Sequence, residues 1–181
     1  MPWKNGGGST TEIAIGPVGA SLDAFDWRIS MAQVASDGPF SRFDGIDRTL
    51  AVIAGGGMEL TIGGQAPVVL GHASEPLSFP GDVPTTARLL AGDITDLNVM
   101  TRRGQFSHRV TRVTQPADYA SDGNDLAIVL SLDGPTEVRD QAEHARLGHT
   151  DAVLIEPSES ATFQIKPAGL CYLIWLRAAA A

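Results

Sequence analysis

The 181-residue chain is 43% hydrophobic and 19% charged, which excludes a disordered segment and leaves room for one ordinary domain or two very small ones. Its 21 acidic and 13 basic residues give a formal charge of -8, so neither nucleic acid nor an anionic membrane surface is an expected partner. A single cysteine excludes an intrachain disulfide framework, and the longest apolar run, Leu170 to Leu176, is too short to span a bilayer; with no basic segment leading into an apolar run at the start, a cytoplasmic protein is expected.

The chain opens with MPWKNGGGSTTEI, in which Lys4 and Asn5 follow an aromatic and precede the triplet Gly6 to Gly8. The stretch GGGST has a superficial likeness to a phosphate loop but lacks the Gly-Lys-Ser/Thr ending. Ser9 and Glu12 have capping-box spacing, yet Gly16-Pro17 follows too soon for a helix, and TTEIAI reads as a strand. In FDWRISMAQV, Phe25, Trp27, Ile29 and Met31 alternate with Asp26, Arg28, Ser30 and Ala32, the period of a two-faced strand. RTLAVIAGG and MELTIGG are two further strands turned by Gly55 to Gly57, with Arg48 on the face of Leu50 and Val52. DLNVMTRRG places Asn98, Met100 and Arg102 on one face and Leu97, Val99 and Thr101 on the other. RDQAEHARLG is the one stretch suited to a helical turn. AVLIEP and ATFQI continue the strands, and Cys171 in GLCYLIWL reads as a small buried apolar group.

The two halves resemble each other. TLAVIAGG from Thr49 matches DLAIVLSL from Asp125, and LGH at Leu70 to His72 recurs at Leu147 to His149, with Pro80 and Asp82 meeting Pro157 and Glu159 at the same spacing as the second match. Tandem β units of this size commonly close as jelly-rolls, which protects their sheet edges. The expected fold is all-β: a bicupin of two tandem cupin-like jelly-roll barrels packed as one compact unit, residues 1–115 and 116–181. Chance similarity of short apolar strings, leaving a single sandwich, is the alternative.

Cupin metal sites usually place two histidines one residue apart, followed by a glutamate and a later histidine, and no His-x-His occurs among His72, His108, His144 and His149. His72 and His149 occupy equivalent turn positions and read as exposed. No metal and no cofactor are expected. Arg28 and Arg48 have two readings. Each is a rigid fork for a carboxylate at a barrel mouth, or a structural ion pair, Arg28 with Asp26 and Arg48 with Asp44 or Asp47. Asn98 and Arg102 likewise read either as a pocket wall or as a barrel-end amide with a solvated arginine.

MPWKNGGGSTTEI, FDWRISMAQVASDGPFSRF, GIDRTL, FPGD and LNVMTRRG, in this order, resemble the HutD/Ves family of bicupins. The resemblance covers Met1 to about Gly104 closely and the second repeat loosely. It implies two cupin barrels without the usual metal ligands and a regulatory protein that senses a small organic acid, such as urocanate or a formylated amino acid, in histidine degradation. It also implies a ligand pocket in the first barrel formed by Lys4, Asn5, Glu12, Arg28, Ser30, Arg48, Asp82, Asn98 and Arg102. In that picture the glycine triplet folds Lys4 and Asn5 over the barrel mouth, and Glu12 and Asp82 offset the cations. Family members usually carry a strand before this motif and a proline where Asp44 stands. Two other readings remain open: a metal-independent enzyme with Glu12 or Asp82 as general base, and an interaction or Ves-like stress protein whose second barrel forms a homodimer or docks a partner.

Overall fold

The computed structural model describes residues 1, 8–121, 123, 125–156 and 162–180. Every regular element among them is a β-strand, and no helix is long and apolar enough to cross a membrane. Glycines and prolines spread along the chain cut it into segments too short for helices, while alternating apolar residues suit strands with one buried face.

The chain divides into two units, Met1–Phe106 and Ser107–Ala181. The first contains β1 (Gly8–Gly16), β2 (Trp27–Val34), β3 (Gly38–Pro39), β4 (Ile46–Gly55), β5 (Met58–Ile62), β6 (Val68–Leu70), β7 (Leu77–Pro80), β8 (Thr85–Leu89) and β9 (Ile94–Arg102). They form two antiparallel sheets, β1-β2-β9-β4-β7 and β3-β8-β5-β6. The strands read as neighbours through the glycine turn, β4 and β5, therefore belong to different sheets. Side chains from both sheets share one core: Val34, Leu50, Val52, Phe79 and Ile94 from the first, Met58, Leu60, Leu70 and Ala87 from the second.

The second unit repeats this plan with β10 (Phe106–Val113), β11 (Ala117–Ala120), β12 (Asp125–Ser131), β13 (Thr136–Arg139), β14 (His144–Leu147), β15 (Ala152–Ile155), β16 (Thr162–Pro167) and β17 (Cys171–Ala178). Its sheets run β10-β17-β12-β15 and β11-β16-β13-β14. Strand for strand this is the first unit's order without β1, so the repeat seen in the sequence is a repeat of topology. Cys171 lies in the core of this unit with Ala127, Val129, Phe163, Ile165 and Trp175. The sequence reading divided the chain between residues 115 and 116; the difference is β10, which pairs with β17 in the second unit's sheet.

One expectation is overturned. RDQAEHARLG forms a hairpin, β13 to β14, rather than a helical turn. The Asp140 carboxylate accepts hydrogen bonds from the amides of Ala142 (2.7 Å) and Glu143 (2.6 Å), which fixes the reversal, and β13 pairs on its other edge with β16. Sheet pairing on both sides outweighs the helix propensity of Gln, Ala and Glu.

Candidate functional site

The three adjacent strands β2, β9 and β4 build the site by register. Across them Arg28 pairs with Met100 and Met100 with Arg48, whose other neighbour is Phe79 on β7. One step along, Glu12 on β1 pairs with Ser30, Ser30 with Asn98, and Asn98 with Leu50. A further step gives Ala32, Asp96 and Val52. Because side chains alternate, Arg28, Ser30 and Ala32 face the same side as Arg48, Leu50 and Val52, and as Asp96, Asn98 and Met100. That side is the interior of the first unit. Two strand spacings put the Cα atoms of Arg28 and Arg48 roughly 10 Å apart, with Met100 between them.

A cavity of about 610 Å³ opens on this wall. Its polar lining includes Arg28, Ser30, Arg48 and Asn98, and its apolar lining includes Ala32, Val34, Phe40, Phe43, Ala87 and Met100. Arg28 and Arg48 are each only 5% exposed. Arg28 donates from Nε to Glu12 Oε2 (2.9 Å) and from Nη1 to Ser30 Oγ (3.2 Å). Arg48 donates from Nε to Asn98 Oδ1 (2.7 Å) and from Nη2 to the same oxygen, and its guanidinium lies 4.5 Å from the Phe40 ring centroid. This leaves Nη2 of Arg28 and Nη1 of Arg48 without hydrogen-bond partners among the described residues, on side chains that line the cavity.

The counter-charge behind Arg48 is Asp96, which is fully buried. Asn98 joins the two, accepting from Arg48 through Oδ1 and donating from Nδ2 to Asp96 Oδ1. Burial pushes the Asp96 carboxyl up to about 7, although the Arg48 charge, the Asn98 amide and the Ala32 backbone oppose the rise. Burial also brings Arg48 down to about 10; the Asp96 charge pulls the other way and the neighbouring Arg28 charge adds to the drop. Arg48 thus stays charged at neutral pH while Asp96 stands near its midpoint.

Of the residues expected at the pocket, Arg28, Ser30, Arg48 and Asn98 converge on it. Glu12 sits at its edge as the partner of Arg28, with 43% of its side chain exposed. Lys4 and Asn5 lie outside the described residues, as do Pro157 and Glu159 of the repeat. Two of the expected residues lie away from this wall. Arg102 stands at the end of β9 and turns away to donate to the carbonyls of Phe25 (3.0 Å) and Asp23 (3.2 Å), tying down the loop before β2. Asp82 pairs with Arg103 (3.1 Å), which holds its carboxyl below the usual range, so it neither lines the cavity nor offsets the buried arginines. The alternative ion pairs do not form either. Asp47 is taken by Arg103 (2.8 Å), Asp44 by Arg42 (3.2 Å), and Asp26 lies 3.9 Å from Arg102. Sequence reasoning missed Asp96 and the aromatic side chains Phe40 and Phe43. A signal for Asp96 was present, since it shares the alternating phase of Asn98 and Met100.

The second unit shows what became of the same positions there. Leu50, Val52 and Ile94 of the first core answer to Ala127, Val129 and Cys171 of the second at the Leu70-to-Leu147 spacing. Asp125 therefore matches Arg48 rather than Thr49, a one-residue correction that moves it to the opposite face. Arg177 then stands for Met100 and is Asp125's ladder partner, just as Met100 is Arg48's. Arg177 binds Asp125 through Nε (2.7 Å) and Nη2 (2.9 Å). Trp175 occupies the place of Asn98, and Leu173 that of Asp96. At these positions the second unit has a smaller cavity, about 290 Å³, whose wall carries Asp125, Trp175 and Arg177, with the two charged side chains paired to each other.

Fold and site together define a duplicated cupin-type β-barrel protein whose first barrel holds a cavity with two buried arginines. The chain belongs to the HutD family, whose profile matches residues 1–173. It is 34% identical over 140 residues to the protein Ves of Citrobacter koseri, covering 77% of this chain and 71% of that one. It is also 41% identical over 100 residues to an uncharacterized 21.2 kDa protein in the hutC 3′ region of Pseudomonas putida, covering 55% of this chain and 52%, about half, of that relative. Among solved structures, HutD from Pseudomonas fluorescens SBW25 (formate condition) superposes with a TM-score of 0.85 at 34% identity, covering 99% of this chain and 94% of that one. A conserved protein of unknown function from Pseudomonas aeruginosa PAO1 gives 0.84 at 30% identity, with 99% and 93% covered. A cupin 2 conserved barrel domain protein from Leptotrichia buccalis, 9% identical with a TM-score of 0.58 and 94% and 88% covered, shares the fold alone.

Proposed function

We propose that this protein binds a small organic acid, of the urocanate or formylated amino acid type, in its first barrel, and acts in the cytoplasm as a non-catalytic modulator of histidine utilisation. The observation that carries the reading is the pair of buried guanidiniums, each with an N–H edge that no described residue satisfies, on side chains that line the cavity. Burying a cation without completing its hydrogen bonds is costly, and a ligand carboxylate supplies acceptors in the fork geometry an arginine requires. The apolar lining, with Phe40 and Phe43, suits a planar or aliphatic body attached to that carboxylate. Family membership, and a Pseudomonas putida relative placed in the hutC 3′ region, support the link to histidine utilisation.

A thermal-shift titration with urocanate, N-formyl-L-glutamate and formate tests this. A binding acid at a hundredfold excess over its Kd stabilises the fold by about 2.7 kcal/mol. Arg48→Met is expected to weaken binding roughly 10- to 100-fold, the worth of a charge-assisted hydrogen bond. The proposal fails if none of these acids moves the transition of the wild-type protein.

A further inference from the structure

Resting on the acid-binding reading, we propose that Asp96 couples this cavity to protons: an organic anion settling against Arg28 and Arg48 drives protonation of Asp96 at Oδ2. The geometry has three parts. Asp96 Oδ1 accepts from Asn98, whereas Oδ2 is buried and makes no hydrogen bond of ordinary geometry among the described residues, the Ala32 backbone being the one further group that favours the charged carboxylate. An ionised carboxylate with one empty oxygen in a dry interior depends on a nearby cation. That cation is Arg48, reached through the single amide of Asn98.

Among the described residues the other charges around this group offer Arg48 no substitute, and the Met1 amino group, at the cavity's border, donates to the Thr10 carbonyl (2.6 Å). Arg28 on β2 is bound to Glu12 from β1, and Asp37, in the loop after β2, accepts the amide of Leu89 (2.7 Å). From β5, β6, β7 and β8 the adjoining core receives Met58, Leu60, Leu70, Phe79 and Ala87, all apolar. A ligand carboxylate on Arg48 therefore places two anions on either side of one guanidinium. A ligand carboxylate held directly by the guanidiniums stays ionised near neutrality, so the ionised form of Asp96, one amide further back, is the one displaced. The proton goes to the empty Oδ2, and Oδ1 keeps its bond from Asn98, so the Arg48 fork is not disturbed. With its carboxyl already raised to about 7 by burial, Asp96 makes this exchange within the physiological range.

The consequence is an acid receptor whose affinity falls as the medium becomes alkaline, with a ligand that carries no titrating group of its own. The experiment is calorimetric titration with trans-cinnamate, a planar monoanion that stays ionised across the neutral range, in buffers of different ionisation enthalpy. Wild-type protein near pH 7 is expected to take up a substantial fraction of one proton per cinnamate bound. Its Kd should weaken by up to about tenfold per pH unit above neutrality. Asp96→Asn, which imitates the protonated carboxyl, should bind with the wild type's acid-side affinity, without proton uptake and without pH dependence.

Cinnamate binding with no proton uptake by the wild type overturns the proposal alone, as does an Asp96→Asn protein that keeps the wild-type pH slope. Absence of binding by cinnamate, urocanate, N-formyl-L-glutamate and formate alike overturns the acid-binding reading and this proposal with it. Should Asp96→Asn fail to fold, the wild-type uptake decides.

Discussion

At the scale of single residues, the site is governed by how far each charge stands from water. Glu12 and Asp96 are both acidic and both serve arginines, but Glu12 is part-exposed and bound directly, whereas Asp96 is buried and acts through an amide. The cost of that burial is measurable in the ligand-free protein. The folded-state carboxyl titrates near 7, above its unfolded value, so between about pH 4 and 7 the native state holds a proton that the unfolded chain has released. Asp96's contribution to stability is therefore complete below about pH 4 and lost as pH rises through 7. Denaturant unfolding across this range is expected to show a decline on the order of a few kcal/mol from this group, and Asp96→Asn should flatten it. An unchanged slope in the variant would place the decline elsewhere. Arg48 is unaffected in the same window because it titrates near 10.

Among the elements, the turn between β4 and β5 carries the chain from the arginine-bearing sheet to the second sheet of the same unit. Gly55 has φ +92° and an added Cβ would lie 2.3 Å from the Asp93 carbonyl oxygen; Gly57 has φ +94° and its Cβ would lie 2.7 Å from that of Leu70. Both conformations disfavour any side chain, and the close atoms are main chain that cannot rotate away. Gly55→Ala is expected to destabilise the protein by ~2–3 kcal/mol, read as a lower urea midpoint with the slope unchanged. A variant as stable as the wild type would show that the backbone around Asp93 can shift. Strand β9 makes a different contribution, because it lies between β2 and β4 and is the element through which Arg28 and Arg48 are spaced.

For the whole molecule, duplication has produced two barrels of one topology and unequal chemistry. The first places Arg28 and Arg48 on a cavity wall, each only partly bonded by its neighbours among the described residues. The second satisfies Arg177 with Asp125 and fills the place of Asn98 with Trp175, whose ring also lies 5.9 Å from the Arg109 guanidinium. Calorimetry with a bound acid is therefore expected to give one molecule per chain. A stoichiometry of two would mean that the smaller cavity beside Asp125 and Arg177 also admits an anion, and Arg177→Ala would then remove one of the two sites.

The strands and the duplication were legible in the amino-acid order, because alternation and glycine punctuation are local properties and a 77-residue echo needs no folding to be seen, whereas alternation left Arg28 and Arg48 open between pocket wall and ion pair. Local order also misled where local propensity was outvoted: the Gln-Ala-Glu stretch became a hairpin once β16 supplied a partner. Which face of a strand points inward is not a local property. In FDWRIS the aromatic phase invites burial, yet Arg28 and Ser30 face the cavity while Ile29 is buried on the other side of the same sheet. Membership of the site was likewise decided by strand pairing over long separations. Residues 28, 48 and 98 meet because β2, β9 and β4 lie side by side, which excluded Asp82 and Arg102 and brought in Asp96. Alternation with a period of two names two candidate faces for every strand; in β4 and β9 both are buried, and only the packing of one sheet over another decides which of them lines the cavity.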